Sequence, residues 1–177
     1  MCVSPAVLIV NTHPMPKKRS FAPIVNEHTR LLVLGSLPGE KSLAQSQYYG
    51  NSQNRFWMLM SEVVKVDLVA LAYPERLEAL LANGVGLWDV VAEAHRDGSL
   101  DSKIRDQTNN DLRGLLSTLP QLSSIAFNGG TAARLGLKAL QGQAECYRII
   151  QLPSSSPAYT IPYVQKLDAW RCLQDCL

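Results

Sequence analysis

Leu31-Leu32-Val33-Leu34-Gly35-Ser36-Leu37-Pro38-Gly39 is the stretch that decides the fold. Four consecutive apolar residues suit a strand buried on both faces and are too few for a helix of their own. A Gly-Pro-Gly turn then ends the strand and exposes backbone N–H groups to a ligand. Tyr48-Tyr49-Gly50-Asn51-Ser52-Gln53-Asn54-Arg55-Phe56-Trp57 follows, dense in amides and aromatic rings. Such a segment suits a flat, uncharged, hydrogen-bonding ligand such as a nucleobase.

Outward from this stretch, helix and strand patterns alternate. Phe56, Trp57, Leu59, Met60, Val63 and Val64 fall at helical spacing between Asn54 and Val66. Pro74 opens a second helix through Leu77, Leu80 and Leu81, and Asn83-Gly84 stops it. Val85 to Val91 reads as a second strand, and Asn109 or Asn110 caps a helix through Leu112, Leu115 and Leu116. Ser124 to Phe127 is a third strand, turned by Asn128-Gly129-Gly130 into a helix from Thr131 to Leu140. Tyr147 to Leu152 is a fourth strand, followed by Pro153-Ser154-Ser155-Ser156-Pro157-Ala158-Tyr159 and a last helix from about Pro162 to Cys176. This alternation predicts right-handed crossovers and a three-layer α/β/α sandwich around a mainly parallel four-stranded sheet. In such a sheet the site lies beyond the carboxyl ends of the strands. Three strand ends carry unusual loops there: Gly35–Trp57, Asn128–Gly130 and Pro153–Tyr159.

At 177 residues and 46% hydrophobic, the chain suits one domain with an ordinary core. Residues 1–19 read as a flexible N-terminal extension, with Met15 as a second possible start, and 20–177 as the single domain. Ala6 to Val10 is apolar, but no basic residue precedes it, so it makes a poor signal peptide. No apolar run reaches membrane-spanning length, and a cytoplasmic monomer is expected. Residues 1–57 hold six basic residues against two acidic ones, so the basic excess lies with the Gly-Pro-Gly segment and favours phosphate. Cys2, Cys146, Cys172 and Cys176 lack metal-ligand spacing, so reduced thiols and no metal or cofactor are expected.

Several pieces in order resemble the hypoxanthine (deoxyinosine) DNA glycosylase family of the uracil-DNA glycosylase superfamily. They are Gly35-Ser36-Leu37-Pro38-Gly39, Ser42-Leu43, Tyr48-Tyr49, Asn54-Arg55-Phe56-Trp57 and Leu152-Pro153-Ser154-Ser155-Ser156-Pro157-Ala158, with Gly98–Ser102 and Phe127-Asn128-Gly129 also similar. The resemblance runs from about Phe21 to the C-terminus. It implies a uracil-DNA glycosylase-like fold and an enzyme that hydrolyses the N-glycosidic bond of hypoxanthine in deaminated DNA, leaving an abasic site. Where relatives carry Asn or Asp in the first turn this chain has Leu37, and where they carry His or Asn in the late motif it has Leu152. The resemblance moves the catalytic role to Asn54.

The residues suit that chemistry. The target nucleotide must flip out of the duplex, and cleavage builds a sugar cation. Tyr49 is the expected stacking wall, and Phe56 is counted with the substrate-binding residues although its spacing also suits packing. The turn Gly35-Ser36-Leu37-Pro38-Gly39 is counted with the substrate-binding residues, its backbone N–H groups between Ser36 and Gly39 being expected to donate to the base. Asn54 orients water or stabilises the cation through its amide oxygen, and also suits a helix cap. Asn128 reads the base edge bidentately, or serves as a turn residue. Ser154, Ser155 and Ser156 contact phosphates, and Pro157, Ala158 or Tyr159 fills the vacated space. His13, His28 and His95 lie outside every motif, and Asp101 and Asp106 suit acid/base groups or, more simply, solvated loop carboxylates. A uracil or mismatch-specific glycosylase, a non-catalytic damage-binding protein and an unrelated small-molecule hydrolase remain the alternatives.

Overall fold

The computed structural model describes residues 16–177. The readings at Cys2, Ala6–Val10, His13 and Met15 lie outside them. Along the chain come β1 (Lys18–Arg19), β2 (Leu31–Gly35), α1 (Glu40–Gln45), α2 (Phe56–Val64), α3 (Tyr73–Ala82), β3 (Val85–Asp89) and β4 (Val91–His95). Then come β5 (Arg105–Asn109), α4 (Leu112–Ser117), β6 (Ser124–Asn128), α5 (Gly130–Leu140), β7 (Arg148–Leu152) and α6 (Tyr163–Trp170).

Four strands form an all-parallel sheet in the order β3-β2-β6-β7. The central strand β2 reads as a continuous apolar run because both its faces are covered, whereas the edge strand β7 keeps Arg148 and Gln151 exposed. Leu31 and Val33 enter a core shared with residues of α2, α3 and α6, while Leu32 and Leu34 enter a second core with α4 and α5. All four leucines and valines of the β2 run are fully buried. Each such side chain contributes roughly 1.5–3 kcal/mol, so this one strand ties both layers to the sheet. Gly136 lets α5 lie close on the sheet, since a Cβ there would overlap the Phe127 ring. Among the described residues no helix is long and apolar enough to cross a membrane.

A second, antiparallel sheet of order β1-β4-β5 was not legible in the sequence. It corrects one boundary: Val85–Val91 is not one strand. β3 ends at Asp89, and after Val90 the chain joins the antiparallel sheet as β4. Both segments are apolar, so hydropathy alone runs them together. β1 puts Lys18 and Arg19 opposite Ala94 and Glu93, so the expected boundary between extension and domain falls at a paired strand. The α4 cap is Asp111, whose carboxylate accepts from Gly114 N, and neither Asn109 nor Asn110. Asn110 instead donates to Asp89 O and Ser20 Oγ, joining the two sheets.

Candidate active site

Parallel pairing places the carboxyl ends of β2, β3, β6 and β7 on one edge of the sheet. A cavity of about 680 Å³ opens there, and all three loops expected from the sequence line it. Gly35 to Gly39, Tyr49 and Asn54 come from the first loop, Asn128 and Gly129 from the second, and Ser154 to Tyr159 from the third.

The Gly35–Gly39 turn is held from behind. Arg96, at the end of β4 and buried, donates to the carbonyls of Leu37 (3.1 Å) and Pro38. A trans peptide directs Gly39 N–H away from the Pro38 carbonyl, hence away from Arg96. The N–H groups of Leu37 and Gly39 donate to no group among the described residues, which leaves them for a ligand. Ser36 Oγ donates to Asp101 at 2.6 Å, and Arg96 also reaches Asp101 at 3.4 Å. Asp101 is therefore not a solvated loop carboxylate. It lines the cavity; burial pushes its pKa up while Ser36 and Arg96 oppose the rise. Asp106 stays exposed on β5.

Tyr49 sits at φ +54°, a left-handed conformation uncommon for a bulky residue and frequent at functional sites. Its ring stacks on Phe56, with centroids 3.6 Å apart and planes 11° from parallel. That leaves the opposite face or edge for the cavity, which Tyr49 lines. Phe56 corrects the sequence reading: it is fully buried, does not line the cavity, and acts by backing Tyr49. Trp57 packs edge-on against both rings.

Asn54 lines the cavity half-buried. Its Oδ1 accepts from Phe56 N at 3.0 Å, fixing the amide at the start of α2. The N-cap of α2 is Arg55 and not Asn54, so the Asn54 amide braces the turn just before the helix, and a second lone pair on Oδ1 stays available. Lys41, which no motif flagged, is also in the lining, with Nζ 3.4 Å from Asn51 Oδ1.

Asn128 departs from the expectation of a base-reading amide. Its Oδ1 accepts from Ser155 N at 2.8 Å, and Nδ2 donates to Ser155 Oγ at 2.8 Å and Tyr49 Oη at 3.3 Å. Both amide protons are committed, so Asn128 joins the three loops and holds Tyr49. Ser155 is corrected with it: fully buried and bonded to Asn128, it offers no hydroxyl to phosphate. Its carbonyl accepts from Arg55 N, tying the third loop to the first. Ser154 and Ser156 are half-buried, and Pro157, Ala158 and Tyr159 are exposed at the rim. Lys166 steadies this loop by donating to Ser156 O at 3.0 Å, and Trp170 by donating to Pro153 O at 2.9 Å.

The two apolar departures face different surroundings. Leu37 lines the cavity and packs into one core, while Leu152 lies buried in the other.

Asp89, the last residue of β3, lines the same cavity and was missed by the sequence reading. It is 4% exposed, and its Oδ2 is buried with no hydrogen-bond partner. It lies beside Gly35 in register, where a Cβ would stand 2.7 Å from Asp89 Oδ1 and 3.3 Å from Tyr49 Oη. Glycine at position 35 admits both groups. Burial, with Asp101 nearby, pushes the Asp89 carboxyl up to about 7 against the pull of Arg96. The Tyr49 phenol is likewise held above its ordinary range by burial and by Asp89.

Residues 22–174 match the family described as the Uracil DNA glycosylase superfamily. The chain is 43% identical over 141 residues to the Hypoxanthine DNA glycosylase of Methanosarcina acetivorans, covering 80% of this chain and 87% of that protein. It is 43% identical over 113 residues to the protein of the same name in Methanosarcina barkeri, covering 64% and 72%. The fold is similar to the solution NMR structure of a Methanosarcina acetivorans protein described as a candidate uracil DNA glycosylase. That likeness has a TM-score of 0.80 at 38% identity and covers 90% of this chain and 97% of the other.

Proposed function

The chain belongs to the uracil DNA glycosylase superfamily, and on that premise we propose that it is a monofunctional glycosylase releasing hypoxanthine from deaminated DNA. The observation that carries this reading is the cavity itself. It joins a stacking ring, a turn with uncommitted N–H donors, and an amide fixed at its edge. The names of the two archaeal relatives support the choice of base.

In this reading the flipped nucleotide enters with its base against Tyr49. Stacking contributes roughly 1–3 kcal/mol and holds any base by its face. Leu37 and Gly39 N–H groups donate to the base as negative charge builds on it. The free lone pair of Asn54 Oδ1 orients the attacking water or faces the sugar cation. The exposed rim at Pro157, Ala158 and Tyr159 occupies the space left in the duplex, and Ser154 and Ser156 contact the flanking phosphates. Lys41 acts through charge, and no imine to the sugar forms.

Duplex oligonucleotides holding one hypoxanthine, uracil or xanthine test this, with alkali cleavage reporting abasic sites. Hypoxanthine release is expected to exceed uracil release by at least about tenfold, and Asn54→Ala to lower it by about 10²-fold or more. Faster cutting of uracil would refute the base assignment. An Asn54→Ala protein as active as wild type would refute the catalytic one. Borohydride added during turnover is expected to trap no protein–DNA adduct.

A further inference from the structure

We propose that Asp89 is the general acid of this site, donating its carboxyl proton to a ring nitrogen of the departing purine. The inference rests on the reading that the cavity receives a purine nucleotide.

An ionised carboxylate without a partner is very costly in a protein interior, and buried polar groups are almost always satisfied. Asp89 Oδ2 is not. The cost falls if the carboxyl is neutral, and its surroundings keep it so. The charged and titratable groups around it are Asp101, Arg96, Tyr48 and Tyr49. Ser36 and Arg96 donate to Asp101 and to nothing on Asp89. Of the two carboxyls, Asp89 is therefore the one that holds its proton more tightly. Paired carboxyls whose surroundings separate them in this way are a recurrent acid–base device.

The other acidic groups in the lining are already committed or ill-suited. Tyr48 Oη donates to Ala22 O at 3.0 Å. Tyr49 is a weaker acid than an ordinary phenol. Glu40 is exposed and paired with Lys18 at 2.9 Å. Asp89 alone combines burial, an uncommitted proton and a place in the cavity wall.

The step balances without a cofactor. The C1′–N9 bond breaks with its electron pair going to the purine. The Asp89 proton moves to a purine ring nitrogen, so hypoxanthine leaves neutral. Water adds to C1′, and the proton it loses returns to the Asp89 carboxylate. Nothing is oxidised or reduced.

Single-turnover release of hypoxanthine from a duplex between pH 5.5 and 8.5 tests this. In wild type the rate is expected to fall as pH rises past about 7, the value to which burial drives Asp89. Asp89→Asn keeps the shape but cannot give up a proton. It is expected to lose about 10²-fold at pH 6 and to lose that downward limb. Thermal melting reports whether the variant folds. If it does not, the wild-type profile decides, and a flat or rising profile overturns the acid. A folded Asp89→Asn protein with the wild-type rate and profile overturns it too, while hypoxanthine release by wild type still stands. A wild type that releases no hypoxanthine refutes the substrate reading, and the acid with it.

Discussion

Two polar clusters flank one cavity and are built in opposite ways. At Asn128, Ser155 and Tyr49, both amide protons, the amide oxygen and the buried serine are paired. At Asp89 a buried carboxyl oxygen has no partner. The first arrangement is what a protein uses to fix loops, since a satisfied buried network specifies one geometry. The second is unfavourable for folding, so its presence points to chemistry. Had either cluster been built like the other, the roles of these residues would reverse.

The comparison can be broken most sharply through pH. A carboxyl whose native pKa lies above its unfolded one favours the folded state least at high pH. The native protein retains the proton up to about 7, whereas the unfolded chain releases it near 3.8. Stability from this group is thus whole below pH 4 and lost as pH rises to 7. The loss is on the order of 4 kcal/mol. Asp89→Asn removes that dependence. Its stability relative to wild type should rise by on the order of 4 kcal/mol between pH 4 and pH 8, measured by denaturant unfolding. A constant difference would place Asp89 among ordinary paired carboxylates.

Asn128→Ala should have the next largest effect and the opposite sign. It strands Ser155 N and Oγ in the interior, at a cost of about 2–3 kcal/mol that does not vary with pH. Activity should fall with it, because Tyr49 and the third loop lose their tie. Tyr49→Phe should matter least for stability. It removes only the 3.3 Å bond from Asn128 and keeps the stack on Phe56, so about 0.5–1 kcal/mol is expected. Calorimetric melting of the two variants ranks them. A larger cost for Tyr49→Phe than for Asn128→Ala would show that the phenol, and not the amide, organises the cluster.

Much of this was legible in the chain. Leu31–Leu34 read as a buried strand because both faces of a parallel sheet are covered, and the three loops followed from where strands give way to Gly, Asn and Pro. Other parts were not. β5 is exposed along its whole length, so it carries no apolar alternation to read. Phe56 sits among residues of helical spacing, and nothing in that spacing distinguishes a slot wall from the ring behind it. Asn128 looks the same in sequence whether it faces a ligand or Ser155.

The sequence by itself determined the layers, the presence of the four parallel strands and the edge on which the site forms, because those follow from local periodicity and turn chemistry. Tertiary structure alone decided which polar groups meet. Arg96 reaches back 58 residues to Pro38, and Ser36 reaches forward 65 to Asp101. Asp89 meets Gly35 only through strand register. Hydrogen bonding and desolvation act over a few ångströms of space, and no local pattern records which distant residues will share them.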